Sequence, residues 1–398
     1  EGGNAADAAV ATALALAVTW PEAGNIGGGG YLILVPGPDP EKDTSDQAAV
    51  AVDFRETAPA ASERTMFVRE SDRTPHRRVA VPGTVRGLAL VHERYGRKPW
   101  KELVAPAIRL AKEGFVLDSP TAQSINGVLK TSPIDAFREL HRVFGKADGR
   151  PWQAGERLVQ PDLAFTLQRI ADDGADGFYR GKTAALLAEE MIRGGGLITG
   201  RDLADYAAKW RVPAHGTYRG YNVYSSPPSS SGGTTLIQTL NMLETVDLRS
   251  KGRYAPETLH WMIESTKRSY RNRARWLGDP DFNDIPERLL EKSFAEEMAR
   301  GIFADKATPS ERLAGSIALP AESENTTHFS IIDKSQMAVS CTYTLESSWG
   351  SRVVVPGAGF VLNDEMNDFN WLPGTTDRKG RIGTDPNLVV AGKRPLSS

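Results

Sequence analysis

The chain of 398 residues has a single cysteine, Cys341. One thiol cannot build an internal disulfide framework, so cysteine usage leaves the redox compartment open. The six histidines fall into no His-Glu-x-x-His pattern, and Cys-x-x-Cys is absent. No motif therefore calls for a metal, and no cofactor is expected. Long apolar runs are missing as well. The longest, Ala8 to Trp20, is interrupted by Thr12 and Thr19 and falls short of the roughly 20 residues that a bilayer needs. No basic segment precedes it, so it does not read as a signal peptide. The net charge of -2 gives no reason to expect a nucleic acid or another polyanion as partner. What is present is ordinary for a soluble globular protein, with 40% hydrophobic and 25% charged residues. The chain starts at Glu1 and stops at Ser397-Ser398, so both ends read as cut.

Repeats and low-complexity linkers are absent. Asn4 can cap a helix of strong formers from Ala5 to about Val18. A glycine-rich turn (Gly24 to Gly30) leads into a strand at Tyr31–Val35. A second strand is expected at Ala49–Phe54, with Pro36–Gln47 as the hairpin loop between them. Apolar spacing near 3.6 predicts helices at Thr84–Tyr95, Trp100–Glu113, Pro161–Asp173, Lys182–Ile192, Gly200–Lys209, Thr234–Glu244, Pro256–Trp276 and Pro286–Phe303. Arg211–Tyr224 reads as strands around a Gly-Tyr-Arg-Gly turn. Thr327–Asp333, Ala338–Leu345 and Val353–Leu362 read as further strands. Strands at both ends around a helical middle predict an α+β layered fold with shared sheets.

Several motifs bear on chemistry. Gly27–Gly30 is not a phosphate loop, because a helix precedes it and a strand follows, the reverse of nucleotide-binding order. No Gly-x-Ser-x-Gly elbow occurs, which argues against an α/β-hydrolase. Lys267–Trp276 is basic with aromatics between, and reads as a solvated helix face rather than a nucleic-acid element. Ser229-Ser230-Ser231-Gly232-Gly233 reads as a loop with a helix cap. Arg55, in Asp53-Phe54-Arg55-Glu56-Thr57, could grip a carboxylate with two parallel hydrogen bonds, or form an Arg–Glu surface pair. Asn325-Thr326-Thr327-His328 stands where a loop meets a strand. A threonine hydroxyl needs a base, and one solution is the residue's own α-amine, freed by cutting the preceding peptide bond.

Together these blocks resemble the γ-glutamyltranspeptidase family of N-terminal nucleophile hydrolases. The likeness runs from Gly2-Gly3-Asn4-Ala5 through Gly27–Gly30, Asp53–Pro59, Val81-Pro82-Gly83, Tyr218–Tyr221, Pro227–Gly233, Thr326–Ser330, Thr342-Tyr343-Thr344 and Asn363–Phe369 to Pro395–Ser398. It implies one domain over 1–398 with a four-layer αββα sandwich. It implies self-cleavage between Asn325 and Thr326, giving a large-subunit part (1–325) and a small-subunit part (326–398) that stay together as a heterodimer. Thr326 would attack the γ-amide of glutathione or another γ-glutamyl conjugate, and pass the acyl group to water or to an amino acid or peptide amine. Thr344 matches the threonine beside the nucleophile. Arg55, helped by Ser397 and Ser398, matches the α-carboxylate clamp. Asp368 and Glu365 match the acids that receive the α-ammonium. Family members are often periplasmic or secreted.

Two departures stand out. Glu346 occupies a position that is Asn in many members, adding a third acid beside the α-ammonium. The oxyanion glycines of the family lie downstream of the serine pair, where this chain stops. Phe369–Asp385 has the length of the family's lid, with Trp371, Pro373 and Gly374 suited to a semi-rigid flap and Lys379 near an aromatic gate position. The alternatives are an acylase of the same fold acting on glutaryl amides, and a non-catalytic binding paralogue that stays uncut.

Overall fold

The computed structural model describes residues 2–38, 48–314, 326–374 and 384–397. The first helix, α1 (Ala5–Thr19), begins as its sequence dictates. The Asn4 side chain accepts from the Asp7 N–H, and the Asp7 carboxylate accepts from the Asn4 N–H, a complete capping box. The apolar run noted above is this helix. It is buried nearly all round because it lies between a sheet and a second helix layer.

Further helices are α2 (Thr84–Tyr95), α3 (Trp100–Glu113), α4 (Ser119–Thr131), α5 (Arg138–Phe144), α6 (Pro161–Asp173), α7 (Asp176–Tyr179), α8 (Gly181–Gly194), α9 (Gly200–Asp205), α10 (Gly232–Glu244), α11 (Leu248–Lys251), α12 (Pro256–Trp276), α13 (Lys292–Ala299) and α14 (Ser310–Ala314). The strands are β1 (Gly29–Val35), β2 (Val50–Asp53), β3 (Phe115–Val116), β4 (Arg157–Leu158), β5 (Lys209–Arg211), β6 (Ala214–Tyr218), β7 (Tyr221–Ser225), β8 (Thr327–Ile332) and β9 (Ala338–Thr344). Among the described residues the main sheet has five strands, in the order β5-β2-β1-β9-β8, and every pairing is antiparallel. Strands from both ends of the chain thus share one sheet. β1 and β2 form the expected hairpin, although residues 39–47 of its loop lie outside the described residues. β6 and β7 form the expected ribbon around Arg219-Gly220.

One face of the sheet carries Leu32, Leu34, Val52, Val339, Cys341 and Tyr343, which join α1, α2, α3 and α6 in the main core. The Tyr343 hydroxyl donates to the Ala13 carbonyl at 3.0 Å, fixing this as the α1 side. The opposite face carries Tyr31, Thr342, Ser340, His328 and Ser330, as the period of two requires.

Three expectations need correction. The helix expected over Gly200–Lys209 ends at Asp205, because Lys209–Arg211 pair with β2. Pro286–Phe303 is not one helix. A 3-10 turn at Glu287–Leu290 is separated from α13 by Glu291, whose backbone is extended. Val353–Leu362 is not a strand but a tight reversal. Gly357 and Gly359 both have positive φ, and only Val354 and Val361 make a bridge. Finally, α4 and α5 were not foreseen. Asp118 caps α4 through the Thr121 N–H.

Candidate active site

Register alone places the key residues. Gly29 pairs with Thr344 across β1 and β9. Phe54 and Gly30 exchange backbone hydrogen bonds, so Arg55 stands opposite Gly29. Thr327 pairs with Tyr343, so Thr326, one residue earlier, stands opposite Thr344. Arg55, Gly29, Thr344 and Thr326 therefore form one row across four strands, spanning about 14 Å at ~4.8 Å per strand. Tyr343 faces α1, so Thr344 and its row face the other way. Thr326 is exposed and Thr344 is buried. Asn325 lies outside the described residues.

The glycines make this row possible. A Cβ on Gly28 would lie 2.1 Å from the Thr344 carbonyl oxygen, and one on Gly29 would lie 2.5 Å from the Phe54 carbonyl oxygen. Only glycine lets the three chains close up here. Asn25 ties the turn down. Its side-chain amide donates to the Thr344 carbonyl at 2.9 Å, and its carbonyl accepts from the Gly28 N–H at 2.8 Å. The glycine run thus serves backbone approach, as its order relative to helix and strand implied.

Arg55 is not a surface residue. It is 1% exposed, and its two terminal nitrogens contact the carboxylates of Glu365 and Asp368. Its Nε donates to the Pro395 carbonyl at 3.3 Å, and its backbone N–H to Asp53 at 3.1 Å. The guanidinium has five N–H groups, more than the three contacts named here. Burial opposes its charge, but Glu365, then Asp368, more than compensate and hold it firmly protonated.

Acids are in excess around this one cation. Glu56 is fully buried, and neither of its oxygens accepts a hydrogen bond among the described residues. Burial pushes its pKa up to about 7 against the pull of Arg55. Glu365 is also fully buried, and its contact with Arg55 is a charge contact that falls outside hydrogen-bond geometry. Burial raises its pKa well above the usual range, against the lowering by Arg55. Glu346 is pushed up to about 8 by burial and then by the charges of Asp368 and Asp364. Like charges in a low dielectric cannot all ionise together. The acids of the site are therefore partly protonated at neutral pH.

Glu346 follows β9 with φ of 77°, a region that side chains seldom adopt. This turn lets its N–H donate to the Thr344 hydroxyl at 3.0 Å. Glu365 and Asp368 sit on a 3-10 turn, Glu365–Asp368. Asn363 anchors that turn by donating to the carbonyls of Gly27 at 2.8 Å and Ala80 at 2.9 Å.

Ser397 arrives by another route. Its N–H donates to the Ser229 carbonyl at 3.0 Å. Its own carbonyl accepts from the Ser231 hydroxyl at 2.7 Å and from Arg273 at 3.4 Å, while Arg273 Nε donates to the Ser231 hydroxyl at 2.8 Å. Ser231 therefore does not cap α10, as its sequence suggested. It holds the segment carrying the serine pair. The Tyr31 and Ser229 hydroxyls share a hydrogen bond of 2.8 Å, which fixes this loop over the sheet face that bears the row. Ser398 and Lys379 lie outside the described residues. Residues 375–383 of the expected lid also lie outside the described residues. At its start, Trp371 packs on Phe67 at 4.9 Å, and its indole N–H donates to the Met366 carbonyl at 2.8 Å.

Sequence reasoning missed Asn25, Tyr31, Asn363 and Arg273. Their partners are distant in sequence, and only the glycines beside Asn25 hinted at a constrained turn. Among the described residues no cluster of His, Cys, Asp and Glu could hold a metal, and no helix is long and apolar enough to cross a membrane.

The protein-family model for γ-glutamyltranspeptidase matches residues 1–398. The glutathione hydrolase proenzyme of Escherichia coli (strain K12) is 41% identical, over 100% of this chain and 68% of the relative. A solved γ-glutamyltranspeptidase from Helicobacter pylori is similar with a TM-score of 0.72 and 38% identity, covering 78% of this chain and 89% of that one. A cephalosporin acylase from Bacillus halodurans is similar at a TM-score of 0.82 and 26% identity, covering 100% of this chain and 70% of that one. With the whole chain matched, the chain belongs to the γ-glutamyltranspeptidase family and has the N-terminal nucleophile hydrolase fold.

Proposed function

We propose that this chain carries the machinery for γ-glutamyl transfer or hydrolysis, with Thr326 as nucleophile. The observation that carries this reading is the row Thr326–Thr344–Gly29–Arg55, which ends in a buried guanidinium ringed by acids. A γ-glutamyl donor presents an α-carboxylate and an α-ammonium at one end and the γ-carbonyl at the other. The terminal N–H groups of Arg55 suit the carboxylate, with Ser397 and Ser398 as the expected helpers. Asp368, Glu365 and Glu346 suit the ammonium. Binding the head group there directs the γ-carbonyl along the row toward Thr326.

In the uncut chain the Thr326 nitrogen is an amide and cannot serve as a base. Cleavage of Asn325-Thr326 frees an α-amine with pKa near ~8. The parts 1–325 and 326–398 then act as a large and a small subunit. The amine takes the proton from the Thr326 hydroxyl as its oxygen bonds to the γ-carbonyl carbon. The scissile C–N bond breaks, and the leaving amine takes that proton. Water or an acceptor amine then attacks the γ-glutamyl ester, and the hydroxyl is restored. Thr344, with its hydroxyl oxygen accepting from the Glu346 N–H, would hold the nucleophile's orientation.

A glutaryl amide has no α-ammonium, so an acylase for it would not need three acids around Arg55. The experiment is intact-mass analysis with turnover of γ-glutamyl-p-nitroanilide and of glutaryl-p-nitroanilide. Two fragments, the smaller beginning at Thr326, and preference for the γ-glutamyl anilide are expected. A chain that stays uncut, or equal rates on both anilides, would overturn the reading.

A further inference from the structure

The basic stretch at the end of α12 lines a cleft of about 730 Å³. Its other walls are the 3-10 turn at Glu287–Leu290, α13 and the segment 301–313. That volume lies in the range of small-molecule sites. Arg271, Arg275, Arg288, Lys306 and Arg312 all face it, and none makes an ion pair among the described residues. Arg268, also on the wall, is by contrast neutralised by Glu264 at 2.6 Å. Glu297 and Asp305 offset only part of the charge. The chain as a whole carries -2, so this positive concentration is local and not a general property of the surface.

Two of the guanidiniums are oriented. Arg275 lies over Trp276 and Arg288 over Phe294, each at 4.9 Å from the ring centroid. Stacking fixes the plane of a guanidinium and leaves its N–H edges free for a bidentate acceptor. The cleft also lies apart from the glutamyl pocket. Arg273 points to Ser231 and Ser397. Arg271 and Arg275, two residues to either side, fall on the opposite face of the helix.

We infer that this cleft is a second ligand site, which takes a small, multiply charged anion bearing carboxylate or phosphate groups. Several arginines gathered around one cleft suit a compact oligoanion held by several forks rather than an extended strand. The inference does not depend on the γ-glutamyl reading.

The test is isothermal titration of the purified chain with inorganic tripolyphosphate and, separately, with citrate, in about 0.15 M salt, where weak surface attraction is screened. Saturable one-to-one binding of at least one probe is expected, and the probe that binds identifies the group recognised. The double variant Arg275→Ala/Arg312→Ala should weaken it at least about tenfold, as for loss of a charge-assisted hydrogen bond. Both side chains are exposed, and unchanged circular dichroism would show that the variant is folded. No saturable binding of either probe, or equal binding by the folded variant, would overturn the inference.

Discussion

Glu346 should make head-group binding depend steeply on pH. Its carboxyl is raised to about 8 by burial and by the charges of Asp368 and Asp364, so it is mostly neutral at pH 7. An incoming α-ammonium favours the ionised form. If only that form binds, the apparent dissociation constant scales as 1 + 10^(pKa − pH), with affinity rising as pH rises. From pH 6 to 7 affinity should improve about ninefold, and from pH 7 to 8 about fivefold, with a further shift of about 1.4 kcal/mol for each unit by which the pKa differs. Glu346→Gln keeps the shape of the protonated acid and cannot ionise. The assay is inhibition of γ-glutamyl-p-nitroanilide turnover by L-glutamate at pH 6, 7 and 8, in both proteins. Glu56 titrates in both, so the ratio of the wild-type to the variant inhibition constant reports Glu346 together with its effect on Glu365. That ratio should fall steadily with rising pH. Parallel profiles for the two proteins would refute the reasoning.

Other substitutions test other parts of the site. Thr326→Ala should abolish both self-cleavage and turnover, and a processed Thr326→Ala chain on a denaturing gel would remove its role. Arg55→Ala should weaken substrate capture by about 2–5 kcal/mol, because it deletes the clamp and leaves buried acids unpaired; an unchanged KM would contradict this. Arg273→Gln should raise KM about tenfold with a smaller change in kcat, since it loosens the Ser397 segment without touching the reacting atoms. Equal loss in both parameters, or none, would show that Arg273 is not a positioning residue. Glu56 has a folded pKa raised to about 7 from an ordinary 4.5. The folded state therefore holds its proton longer, and stability falls as pH rises from about 4.5 through about 7. Glu56→Gln should raise Tm more at pH 8 than at pH 5, and a pH-independent Tm difference would contradict the assignment.

Local signals carried much of the fold. The Asn4 cap, the 3.6 spacing of α2, α3, α6 and α12, and the glycines before β1 all act within a few residues, so sequence reports them. Elements set by distant partners were not legible. Lys209 became the first residue of a strand paired with β2, although the helical pattern ran up to it. For α4 the signal was local, with Asp118 as cap and Pro120 in the first turn, and it was overlooked. The site divides in the same way. Arg55 was visible as a charged residue at a strand end. Its burial, and the supports from Asn25, Asn363 and Arg273, depend on contacts between residues far apart in sequence. The excess of acid around Arg55 was partly foreseen in Glu346, but Glu56 reads in sequence as the surface partner of its neighbour.

The place of β9 in the sheet has a mechanical consequence for a cut before Thr326. β9 lies between β1 and β8, with seven paired positions to β1. A break in the chain would leave this ladder intact. The two pieces would be sewn together along a shared seam, and parting them would mean tearing the central sheet lengthwise through the Tyr343 core. The new chain end at Thr326 would then be free to act while its strand stays fixed at both its fold and its register.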